Sequence, residues 1–75
     1  MSDLFTKQFG LLVKQHRELK NLSQEELANK AGLHRTQISL VERGMRSVRL
    51  STLEKLATAL EIQPSKLIPN INKSK

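Results

Sequence analysis

The sequence predicts an all-α fold, a compact bundle of five helices, on three observations. Apolar residues return at three- and four-residue spacing in each periodic segment. Gly32, Gly44, Pro64 and Pro69 punctuate the chain between those segments, and no stretch alternates with the period of a strand. The 75 residues allow a single domain with a modest core.

The first helix runs from about Asp3 to Lys20. Phe5, Phe9, Leu12, His16 and Leu19 share one face, with Lys7, Lys14, Gln15 and Glu18 elsewhere on the cylinder. Gly10 weakens this helix slightly, and Ser2 and Asp3 are its weak candidate caps. The second helix opens at Ser23, with Glu26 spaced for a capping box and Leu22 placed to staple onto Leu27. Gly32 turns the chain at positive φ. A third helix then starts at or just after His34 and stops near Gly44, and a basic loop follows. The fourth helix spans about Ser51 to Glu61, with Leu53, Leu56, Ala57 and Leu60 on one face. Ser51 and Glu54 are spaced for a second capping box, although the helix could also start at Arg49. Pro64 opens a short fifth helix carrying Leu67 and Ile68. From about Asn70 the chain reads as a loose basic tail.

Lys and Arg number 13 against 7 Asp and Glu, a formal +6, so the chain seeks polyanions. Four of the five arginines, Arg35, Arg43, Arg46 and Arg49, lie in the third helix or the loop after it, whereas the lysines are scattered. Arginine grips guanine edges and phosphates through two parallel hydrogen bonds. Double-stranded DNA is the expected partner. With no cysteine, stability must come from helix packing and from a second subunit. Two distant histidines and no glycine-rich phosphate loop leave no recognisable nucleophile, metal cluster or acid-base pair. No enzymatic activity, cofactor, metal or small-molecule effector is therefore expected. No run approaches the roughly 20 apolar residues of a membrane span, and the N-terminus lacks the apolar run of a signal peptide. A cytoplasmic, nucleoid-associated protein without a membrane partner is expected.

The stretch from Gln24 to Arg43 carries the strongest pattern. Leu27, Ala31, Leu33, Ile38 and Val41 fall where two helices meeting at Gly32 must bury apolar faces, and Ala28 falls where a larger side chain would push the second helix away. This is the layout of a helix-turn-helix. From about Gln24 through Leu60 it resembles the DNA-binding domains of the phage Cro and repressor family, with the lambda repressor-like fold. Within that family, the length, Leu33 to Ser39, Val41 to Gly44, Arg46, and Leu53 to Leu60 are most similar to the controller proteins of restriction-modification systems. A prophage repressor, a Cro-like switch or a DNA-binding antitoxin, bacterial or phage-encoded, would carry nearly the same residues. The controller resemblance implies a homodimer, or two dimers on one operator, that activates and then represses its own gene and the endonuclease gene.

If Ile38 and Val41 point inward, Arg35, Thr36, Gln37, Ser39 and Leu40 occupy the other sides of the third helix. The resemblance implies that residues near the start of that helix touch base edges, which carries over to Arg35, Thr36, Gln37 and Ser39. Arginine reads guanine, glutamine reads adenine through two hydrogen bonds, and a threonine methyl rests on thymine. Leu40 either touches a thymine methyl or packs against the second helix. Gln24 matches a family position that holds a phosphate. Arg43 and Arg46 follow the third helix beside the DNA backbone, with Arg46 the better placed to reach a base. His34 is assigned to phosphate or to a cap. Arg49, assigned to the backbone, departs from the small capping residue that relatives place there. The resemblance also implies an ion pair between Arg17 and Glu42. Leu50, Ile62, Leu67, Ile68 and Ile71 exceed what one small core needs and are expected at a dimer interface.

Overall fold

Over residues 2–70, which the computed structural model describes, the chain forms four α-helices. These are α1 (Ser2–Leu19), α2 (Gln24–Ala31), α3 (Arg35–Glu42) and α4 (Leu50–Leu60). The fifth helix expected at Pro64 is instead a single 3-10 turn, Pro64–Leu67. Pro69 is the cause. Its ring disfavours helical backbone in the residue before it, and Ile68 is extended at φ −91° and ψ 118°. The turn is closed by the Lys66 amide on the Gln63 carbonyl at 2.9 Å and the Ile68 amide on the Ser65 carbonyl at 3.2 Å.

Local chemistry accounts for the helix ends. The Glu26 amide donates to Ser23 Oγ at 2.9 Å while the Ser23 amide donates to Glu26 Oε1 at 2.8 Å, a complete capping box. Gly32 stops α2 at φ 71°, and the Leu33 amide reaches back to the Ala28 carbonyl at 2.9 Å. Arg49 precedes α4 in extended conformation with no side-chain cap, so Ser51 and Glu54 form no capping box and lie inside the helix. Glu61 ends α4 in the left-handed region at φ 61°, a conformation that costs a residue with a Cβ some strain. Its carboxylate meets Lys20 Nζ at 3.0 Å on the surface, a pair of small energetic weight.

The core is built by α3 packing against α1 and α2, α4 packing on α2, and the 3-10 turn closing over α4 and α1. Val13, Leu27, Ile38, Leu56, Leu60 and Leu67 are its fully buried large side chains. On α1 the inward face is rotated from the sequence reading. Phe9 and Val13 are buried, Leu12 and His16 are half-buried, and Leu19 is exposed. Gly10 explains the rotation. A Cβ there would stand 2.1 Å from the Val41 carbonyl oxygen and 3.0 Å from that of Glu42, so the missing side chain lets α1 lie directly against the end of α3. Its role is close approach, and the slight helix weakening is secondary.

Gly10→Ala is expected to destabilise the fold by about 1–3 kcal/mol, the typical penalty of forced overpacking, although alanine is the better helix former. Urea denaturation followed by circular dichroism reads the difference. Unchanged or increased stability would contradict the close-contact role.

Candidate nucleic-acid interface

The end of α1, the start of α2 and the end of α3 meet at one buried carboxylate. Arg17 Nε donates to Glu42 Oε2 at 2.6 Å and Arg17 Nη2 to Glu42 Oε1 at 3.1 Å, a two-point ion pair. Arg17 Nη1 donates to the Leu22 carbonyl at 2.8 Å, tying down the loop between α1 and α2. Gln24 Nε2 adds a third donor to the carboxylate, reaching Glu42 Oε1 at 3.0 Å. The Glu42 side chain is 3% exposed and that of Arg17 11%, so solvent screens the pair little. The hydrogen bond from Glu42 raises the Arg17 guanidinium above its ordinary pKa; burial opposes the rise, and the charges of Glu42 and Glu18 add to it. A carboxylate that would repel DNA phosphates is thereby matched by a permanent cation.

This lock fixes which side of α3 is free. Ile38 and Val41 are buried, whereas Arg35 and Thr36 are exposed and Ser39 and Leu40 half-buried. Gln37 is half-buried, with its Oε1 accepting from the His34 amide at 3.0 Å. In the free protein this bond holds the Gln37 carboxamide at the start of α3, with its NH2 group and the second lone pair of Oε1 not taken by that bond. Sequence reasoning missed this although the signal was present. His34 and Gln37 stand at the same offset as Ser23 and Glu26, with Gln at the position from which a side chain reaches back to a helix start. His34, Arg43, Arg46 and Arg49 are all exposed. His34, Arg46 and Arg49, with Lys55, line a groove of about 510 Å³ between the start of α3 and the start of α4.

The residues assigned to a dimer interface divide. Leu50 is 82% exposed and Ile68 45%, while Ile62 is half-buried. Leu67 is fully buried and belongs to the monomer core, because the 3-10 turn folds it inward between α1 and α4. Ile71 lies outside the described residues. Leu50 and Ile68 border an apolar groove of about 290 Å³ with Phe5, Val48 and Leu53. Phe5, assigned in sequence to the α1 core face, is instead 39% exposed on this groove.

A capped helix, a glycine turn and a second helix carrying exposed arginine and threonine define a DNA-binding helix-turn-helix class. Residues 13–67 match the helix-turn-helix family HTH_3, and the chain belongs to that family. Its relatives include the control protein C.BamHI of Bacillus amyloliquefaciens, 51% identical over 61 residues, which are 80% of this chain and 75% of that one. The control protein C.MunI of a Mycoplasma species is 38% identical over 97% of this chain and 99% of its own. The crystal structure of the restriction-modification controller protein C.AhdI from Aeromonas hydrophila superposes with a TM-score of 0.87 at 43% identity, covering 89% of this chain and 97% of that one. Among the described residues no helix is long and apolar enough to cross a membrane.

Removing either partner of the buried pair strands the other charge. Arg17→Met and Glu42→Leu are each expected to destabilise by about 3–5 kcal/mol, with the double variant recovering most of the loss. Denaturant titration of the three variants tests this. Additive losses would show that the two residues do not act as a unit.

Proposed function

We propose that this chain is a sequence-specific DNA-binding transcription regulator of the restriction-modification controller type, binding a pseudo-palindromic operator as a homodimer in the cytoplasm. The observation that carries the reading is α3 itself: its inward face is buried, its ends are locked, and Arg35 and Thr36 stand free at its start. Similarity to controller proteins along nearly the full length of both chains supports the narrower class. The family is one of DNA-binding regulators, not of enzymes.

In this reading Arg35 donates to a guanine edge, Thr36 and Ser39 contact neighbouring bases, and Arg46 reaches a base from beyond the helix end. Gln24, His34, Arg43 and Arg49 hold phosphates and set the register of α3 in the groove. Gln37 offers its carboxamide to a base edge from the same helix start. With 8 residues, α3 is about 12 Å long, too short to specify a long site alone. Two copies with recognition helices about 34 Å apart would read two half-sites on one face of DNA. Leu50, Ile62 and Ile68 are the proposed contacts between the copies. Two such dimers on adjacent sites would give activation at low concentration and repression at high concentration.

Arg35→Ala is expected to cost about 1–3 kcal/mol on an operator selected from random DNA and to relax preference at one base pair per half-site. Equal loss on operator and on unrelated DNA would refute the base-reading role. Leu50→Glu is expected to leave the melting temperature of the fold nearly unchanged while giving a monomer in sedimentation velocity and weaker operator binding. A Leu50→Glu protein that remains dimeric would remove α4 from the interface.

A further inference from the structure

Glu42 is the one charged residue that is buried among the described residues, and it accepts a bond from outside the ion pair. Arg17 donates one bond to each carboxylate oxygen, which leaves acceptor sites open. The bond from Gln24 Nε2 to Glu42 Oε1, at 3.0 Å, fills one of these sites and also orients the glutamine. A primary carboxamide has two nearly isosteric ends, an acceptor oxygen and an NH2 donor, and can present either. The negative oxygen of Glu42 accepts only from the NH2 end. One N–H is taken by the carboxylate, and the planar NH2 group holds the second about 120° away. Gln24 itself is half-buried, at the first position of α2.

We propose that Glu42 is a positioning residue for DNA binding: its carboxylate, neutralised by Arg17, holds the Gln24 carboxamide with the NH2 end fixed, leaving one N–H to donate to a backbone phosphate. This rests on the DNA-binding reading above and deepens it. A phosphate oxygen only accepts, so a flipped carboxamide would present oxygen to oxygen and lose the contact. The Arg17 charge is essential to the arrangement, since a bare carboxylate beside Gln24 would repel the same phosphate. The α1–α3 lock and the backbone anchor at the start of α2 are therefore one network, and the angle of α3 is set together with the phosphate register.

The test is a double-mutant cycle on DNA affinity, using the full chain and an operator selected from random DNA. The paired Arg17→Met and Glu42→Leu replacement is the background, because it removes the carboxylate without stranding a charge. Circular dichroism melting fixes a temperature at which all variants are folded. In the native background Gln24→Ala is expected to weaken binding about tenfold, the scale of one hydrogen bond to a charged group. In the paired background it is expected to change affinity less than about twofold. Uncharged methylphosphonate substitution, scanned one phosphate at a time, should find a position whose neutralisation weakens the native protein but neither Gln24→Ala nor the paired variant. A merely structural role for Glu42 would not single out one phosphate. Equal tenfold losses from Gln24→Ala in both backgrounds would overturn the proposal while leaving DNA binding intact. Native protein that shows no salt-dependent retention of any DNA would overturn both readings.

Discussion

A buried carboxylate must be neutralised, and the way this chain neutralises Glu42 organises the molecule. Arg17 brings the end of α1 and the loop at Leu22 to it, and Gln24 brings the start of α2. Gly10 is the second half of the constraint. It sits two helical turns before Arg17, about 10 Å along α1, and its missing side chain lets the helix touch the backbone at Val41 and Glu42. Backbone contact at one point and a two-point ion pair at another define the crossing of α1 and α3. A hydrophobic core of leucines alone would tolerate several such angles, since apolar contact is non-directional. The directional bonds select one.

That selection separates labour along α3. Residues facing α1 and α2 are spent on the fold: Ile38 and Val41 in the core, Glu42 in the ion pair, and the Gln37 carbonyl on the helix start. Those facing away carry the chemistry suited to a polyanion. The exposed arginines cluster on and after α3, while the one half-buried arginine serves Glu42. The same residue type thus does two jobs, told apart by burial. The N-terminal half of the motif divides likewise, with Ser23 and Glu26 closing the helix start and Gln24 turned toward Glu42.

Much of this was legible in the residues because it is local. The Ser23 and Glu26 capping box, the stop at Gly32 and the stop near Gly44 each depend on a few neighbouring positions, and all three are found. Pro64 was read as opening a fifth helix, and only a 3-10 turn forms, because the effect of Pro69 on Ile68 outweighs the short helical preference. The rotation of α1 was hidden: Gly10 looks like a weak point in a single helix and becomes a contact only when α3 is laid beside it. Arg17 and Glu42, 25 residues apart, were paired through family resemblance, and nothing in the spacing alone would join them. The bond from Gln24 to Glu42 spans two elements and had no signature in sequence. The Gln37 carbonyl had one, but an amide on a candidate recognition helix invites a base-reading role first. Leu67 was assigned to an interface because the apolar residues of the C-terminal region exceed what one small core needs, whereas the 3-10 turn folds it inward.

Selection from random-sequence DNA with the native protein at physiological salt tests most directly whether this locked helix reads DNA in two symmetric copies. Inverted half-sites with centres about one helical turn apart are the predicted result, and two such pairs in tandem are predicted for a controller. No enriched sequence, with only salt-sensitive retention of any DNA, would contradict that reading.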